Sequence, residues 1–403
     1  MSPCRRFEEQ RWALDAVIKT VGLDWDQGRS AYLQAPCGVD AFGDFQGVKL
    51  RVQKFADISR EFARAAERRE RLAQAAEADD HPVAARDHWF VASVLYGAAE
   101  WPLFEVSDQL LRLDARKLEA FSRYAELAEH RVRRVEIPFG GRTLPGWLHV
   151  PPGSSGKLPL VVAVDGMDGF KEMLVSLSGD KLLDRGLAVL AIDGPGQGEC
   201  CARGITVTPD NWFAVGAELF PWLRSQPEVD PHRIAVFGVS FGSYWATQLA
   251  AGADDLSAAA VAFVCHEPGG HAIFEEASPT FKARFMFMAG IDDEAEFDRM
   301  AEKLGLQGVG ARLSCPYLVV AGEEDELSPI RHTLALLDEV STPKELLLYQ
   351  GEKHGLYSTA SSLLGPQWMM HVADWLSDRL AGKAASSRRL YVDLTGRVSE
   401  TAL

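Results

Sequence analysis

Cysteine is scarce in this chain and lacks pattern. The six cysteines stand at positions 4, 37, 200, 201, 265 and 315. No CxxC spacing occurs among them, which excludes a zinc ribbon or a paired redox motif and favours free thiols in a reducing compartment. Long hydrophobic runs are missing as well. Core-like runs such as LPLVVAV at 158–164 fall far short of the roughly 20 residues that span a bilayer, so no membrane partner is expected. The opening MSPCRRFEEQRW is followed by no apolar stretch of the kind a secretory leader carries, and the expected location is cytoplasmic.

Positive charge is in deficit: 42 Lys and Arg stand against 57 Asp and Glu, a formal net charge of -15. Neutralising phosphates needs a clustered cationic excess, so no nucleic acid is expected as a partner, and a small-molecule substrate is. HExxH, an EF-hand loop and Cys-His metal spacing are absent, and neither a metal nor a cofactor is expected. The glycine-rich stretch DGPGQGE at 193–199 fits neither GxGxxG nor GxxxxGK[ST] and reads as a structural turn.

What remains is an ordinary globular composition, 47% hydrophobic and 25% charged over 403 residues, ample for two domains. Residues 1–132 read as a helical cap region. Within 54–79, Phe55, Ile58, Phe62, Ala65, Leu72 and Ala76 recur in steps of three and four and mark one apolar helical face, with Arg69 the single interruption. Two more helices are expected, over about 83–100 and 103–129.

From about 133 the period changes. Eight short aliphatic runs alternate with helical patterns: 135–139, 144–150, 158–164, 187–192, 233–237, 258–264, 316–322 and 345–349. Gly140-Gly141 joins the first two as a hairpin, and Pro145 places the second at a sheet edge. The later runs are apolar throughout, as strands covered on both faces are. The predicted class is α/β: an eight-stranded, mostly parallel sheet over 133–381, with an insertion at 266–313 and a polar tail at 382–403.

The stretch AVFGVSFGSYW at 235–245 contains Gly-x-Ser-x-Gly, a pattern expected about 0.2 times by chance in a chain of this composition. Its position raises its value, because a strand precedes Ser240 and a helical pattern follows it. Such an elbow needs small residues at 238 and 242 and exposes the hydroxyl at the carboxyl end of the sheet. A serine hydroxyl needs a base, and the base needs a carboxylate. Asp325 follows the seventh run, with Glu324 as the alternative, and His354 follows the eighth. The oxyanion donors are expected to be the backbone N–H groups of Phe241 and Met167, the latter in the loop after the third run.

Through GVSFG, DGPGQGE, AGEEDELSP and the His354-Gly355 loop, residues 133–380 resemble the α/β-hydrolase superfamily. With DGMDGFKE and the helical N-terminal region, the chain is similar to the branch holding dihydroxypseudooxynicotine hydrolase, fungal heptaketide hydrolases and fermentation-respiration switch proteins. The resemblance implies the α/β-hydrolase fold with a helical cap over the site, and cleavage of an ester or of a carbon-carbon bond next to a ketone. It also implies an auxiliary acid near the nucleophile, for which Glu267 stands nearest, and is compatible with a homodimer. The insertion's Phe274, Phe281, Phe285 and Phe287 suggest a mid-sized, partly aromatic or polyketide-like substrate. An acyltransferase using the same triad, or a non-catalytic receptor on the same fold, remains open at this point.

Overall fold

The computed structural model describes residues 4–177 and 180–403. All eight aliphatic runs form strands: β1 (Arg131–Phe139), β2 (Arg142–Val150), β3 (Leu158–Val164), β4 (Ala188–Ile192), β5 (Val229–Val239), β6 (Ala258–Ala262), β7 (Tyr317–Gly322) and β8 (Lys344–Tyr349). Two more follow, β9 (Arg388–Val392) and β10 (Val398–Ala402), and the single sheet has the order β1-β2-β4-β3-β5-β6-β7-β8-β9-β10. Strands β3 to β9 run parallel, while β1, β2 and β10 pair antiparallel at the two ends.

The extra pair corrects the reading of 382–403 as a polar tail. Its strands escape a hydropathy reading because only one face is covered: Leu390 and Val392 are buried in β9, while β10 is exposed along its length. Arg388 Nε is 2.7 Å from Glu345 Oε2 and ties β9 to β8. The edge placement of Pro145 is corrected too, since β2 lies between β1 and β4. Pairing of β2 with β4 runs from Gly146 to His149, so the proline sits just outside that ladder and its missing N–H costs no bond there.

The N-terminal half of the cap is a run of short helices, followed by three long ones, Ile58–Ala78, Pro82–Glu100 and Asp108–Leu127. Pro82 opens the second at a position that needs no N–H donor, and Ser107 caps the third by accepting from Leu110 N–H. Ile58, Phe62 and Ala65 are buried as the spacing predicts, but Leu72 is exposed and Ala73 turns inward. Arg69, the interruption, occupies the buried face. Its guanidinium is satisfied by Asp44 Oδ2 at 2.7 Å and the Asp40 carbonyl at 2.6 Å, which makes burial of a cation tolerable.

Cap and sheet domain meet through close packing and buried charge. A Cβ at Gly97 would stand 2.3 Å from the Phe170 ring, so only glycine lets the middle cap helix approach this closely. Beside it, fully buried Lys117 pairs with Glu100 and Asp114, each at 2.9 Å. Fully buried Lys171 pairs with Glu172 at 2.7 Å and with Asp193 and Glu199 at 2.9 Å. Among the described residues, no helix is long and apolar enough to cross a membrane.

Candidate active site

Strand β5 ends in Val239, and the next residue, Ser240, has φ 53° and ψ -129°, a conformation that costs an L-residue about 1–3 kcal/mol. The helix Phe241–Ala251 begins immediately after it. Two backbone bonds hold the strained residue: Ser240 N–H donates to Ala262 O at 2.9 Å, and Ser240 O accepts from Ser243 N–H at 2.8 Å. The flanking glycines leave no room for a side chain. A Cβ at Gly238 would lie 2.2 Å from Gly242 O, and one at Gly242 would lie 2.4 Å from Val164 O.

Ser240 Oγ lies 3.0 Å from His354 Nε2. The other ring nitrogen, Nδ1, lies 2.9 Å from Asp325 Oδ2 and 3.2 Å from Oδ1. A carboxylate only accepts, so Nδ1 carries the proton and Nε2 is left to accept from the serine hydroxyl. Asp325 Oδ1 in turn accepts from the N–H groups of Leu327 and Ser328, both at 2.9 Å. Burial of His354 disfavours the imidazolium, but the Asp325 carboxylate outweighs it and raises the pKa above the ordinary histidine value. Of the crowded acidic residues, Asp325 is buried, whereas Glu324 and Glu326 are exposed. Glu323 accepts from Tyr391 OH at 3.2 Å.

The loop after β3, Asp165 to Gly169, lies directly against the serine. A Cβ on Gly166 would stand 2.9 Å from Ser240 Cβ. Met167 is 3% exposed, and its N–H has no acceptor among the described residues. Phe241 opens its helix, and its N–H likewise lacks an intrahelical acceptor. Unpaired buried N–H groups are costly, so two of them beside one hydroxyl form a ready receptor for a developing anion. Asp165 in the same loop is driven up to about 7 by burial, only partly opposed by the Gly166 N–H bond to its Oδ1 at 2.7 Å.

Above Ser240 and His354 lies a mostly apolar cavity of about 90 Å³, several times the roughly 10–15 Å³ that one water needs. Met173, Phe263 and Leu327 line it from the sheet domain, and Ile273 and Phe281 from the insertion. Phe281 is thus the insertion phenylalanine that reaches the cavity. Phe274 and Phe285 instead pack on Phe241 and on Phe297. Glu267 stands apart, lining a smaller adjoining recess and accepting from Ala272 N–H at 2.7 Å.

Three wall residues carried no sequence signal: Gln27, Tyr32 and Tyr357. The first two come from the cap. Gln27 Nε2 and Arg29 Nη1 both donate to Asp168 Oδ2 in the loop after β3, each at 3.1 Å. Arg29 also reaches Tyr32 OH at 2.7 Å and Asp26 at 2.9 Å. His266, His271 and His332 lie outside the cavity lining; His266 bonds Thr333 Oγ1 at 3.1 Å, and burial drives its pKa down to about 3.

A family model described as Esterase FrsA-like matches residues 60–380. An alpha/beta hydrolase of Acremonium sp, ucsC, is 30% identical over 273 residues, 62% of this chain and 53% of its own. Esterase FrsA of Escherichia fergusonii is 30% identical over 178 residues, 44% of this chain and 42% of its own. The chain thus spans about half the length of the curated relatives it matches. Among solved structures, a 2,6-dihydroxy-pseudo-oxynicotine hydrolase superposes with a TM-score of 0.75 at 23% identity, over 88% of this chain and 97% of that one, which shows a shared α/β-hydrolase fold.

Proposed function

Because the chain belongs to the FrsA-like esterase family, we propose that it is a serine hydrolase with Ser240 as its nucleophile. Ser240 Oγ attacks the carbonyl carbon of a bound ester while His354 Nε2 takes its proton. Asp325 holds the ring in the tautomer that makes this transfer available. The Met167 and Phe241 N–H groups receive the oxyanion, each worth roughly 3 to 4 kcal/mol in the transition state. The imidazolium then returns the proton to the leaving alcohol, and water, activated by the same histidine, releases the acyl group from Ser240.

The observation that carries this reading is the continuous chain Ser240–His354–Asp325, with contacts of 3.0 and 2.9 Å, under a closed apolar cavity. The cavity suits an apolar or aromatic acyl group, with Gln27, Tyr32 and Tyr357 as polar fixtures at its wall. Glu267 is bonded to Ala272 N–H outside that cavity, which favours ester cleavage over cleavage of a carbon-carbon bond next to a ketone. The test is a paired assay of the natural sequence and Ser240→Ala on an activated aryl ester and a β-diketone. Ester hydrolysis lost by a factor on the order of 10⁴ in the variant is expected. Ester hydrolysis that survives Ser240→Ala would overturn the mechanism, and Ser240-dependent cleavage of the diketone would move the reading to carbon-carbon hydrolysis.

A further inference from the structure

The segment DGPGQGE at 193–199 resembles a phosphate loop but has another occupation in the fold. Asp193 accepts from Lys171 N–H at 2.8 Å and Glu199 N–H at 3.0 Å and pairs with Lys171 Nζ at 2.9 Å, which leaves no free anion receptor. Trp212 stands against Gly194, where a Cβ would lie 2.2 Å from its ring. So seated, the turn sends one fully buried side chain, Gln197, toward the loop after β3. Gln197 Nε2 donates to Asp165 O at 2.7 Å and to Gly166 O at 3.0 Å, while its Oε1 accepts from Gly194 N–H at 3.2 Å.

These contacts fix two consecutive peptide planes. In the Asp165–Gly166 peptide the carbonyl goes to Gln197 and the N–H to Asp165 Oδ1. In the Gly166–Met167 peptide the carbonyl also goes to Gln197, so the trans geometry of the plane sends the Met167 N–H the opposite way. Three of the four polar ends are thereby satisfied within the protein. The fourth, the Met167 N–H, is left over at the wall of the Ser240 cavity.

We propose that Gln197 is a positioning residue for the oxyanion hole: its carboxamide aims the Met167 N–H by holding the loop's two carbonyls from behind. The proposal rests on the serine-hydrolase reading and adds to it. Gln197 touches no substrate, so its effect is felt where charge develops on the attacked oxygen and hardly at all in ground-state binding.

The test compares Gln197→Glu, which keeps the acceptor for Gly194 but replaces the two-donor amide, with Gln197→Met, which has similar length and no polar atoms. Both are assayed on an activated aryl ester, titrated with a trifluoromethyl ketone that forms a tetrahedral adduct, and melted. Expected is a fall in kcat of about ten- to a hundredfold with KM within about twofold, and weakening of the trifluoromethyl ketone by a similar factor. If one variant fails to fold, the other decides. A folded variant with unchanged kcat, or with kcat lowered but ketone affinity intact, overturns the positioning role while leaving Ser240 as nucleophile. Failure of the natural protein to be labelled by a fluorophosphonate, with hydrolysis surviving in Ser240→Ala, overturns both readings.

Discussion

His354 Nδ1 lies 2.9 Å from Asp325 Oδ2, and both side chains are shut away from solvent. Neutral imidazole is the form that can accept the serine proton, so kcat/KM should fall as pH drops through the His354 pKa. Burial alone would lower that pKa, but Asp325 raises it, and the acid limb is therefore expected above pH 6.5. By the same linkage, the stability that His354 contributes is full below the unfolded value and fades as pH rises through the folded one. Asp325→Asn should move the limb to lower pH and cut kcat on the order of 10⁴-fold. A pH–rate profile on an aryl ester checks both; a limb below 6.5 in the natural sequence would contradict the pairing.

The nucleophile turn should separate function from folding. Ser240→Ala removes one hydroxyl and is expected to melt within a few degrees of the natural protein. Gly242→Ala places a methyl 2.4 Å from Val164 O and 2.5 Å from Asp165 O, both backbone atoms that cannot step aside cheaply. A loss of about 2–4 kcal/mol is expected, read as a lower Cm in urea.

Arg29 fastens the cap to the loop after β3. Its side chain is 1% exposed, pairs with Asp26 and Asp168, and lies over the Trp101 ring at 3.8 Å. Arg29→Met strands the buried Asp26 carboxylate and should cost about 3–5 kcal/mol. Faster limited proteolysis of residues 24–37 and a raised KM should accompany it. Adding Asp26→Asn should restore part of the loss, and no recovery would mean that the ion pair is not the fastening.

Cavity size should set the acyl range. Ile273 closes one wall of a cavity of only about 90 Å³. Ile273→Ala is expected to shift the preferred p-nitrophenyl ester toward longer acyl chains, measured as kcat/KM across a chain-length series. An unchanged profile would place the acyl group elsewhere.

Removal of residues 386–403 should damage the sheet, although β10 is fully exposed. The deletion uncovers the edge of β8 and leaves Glu345 without its Arg388 contact at 2.7 Å. A lower Tm and concentration-dependent association, seen by light scattering, are expected because the new edge presents unpaired backbone groups.

The sequence by itself determined the alternation that builds the sheet, the strand-turn-helix setting of Ser240, and the post-strand positions of Asp325 and His354. These are local properties, because a buried strand must be apolar throughout and a sharp turn must have glycines, whatever surrounds them. Polarity misled at 382–403 because half of a one-sided hairpin is meant to be wet, and Arg69 broke a periodicity that its partner Asp44 restores from 25 residues away. Only the tertiary structure decided that Asp325 rather than Glu324 faces the histidine, that Phe281 and not Phe274 or Phe285 reaches the cavity, and that Gln27 and Tyr32 close it. Each of these depends on which face of an element meets a distant segment, and no residue's neighbours in the chain carry that information.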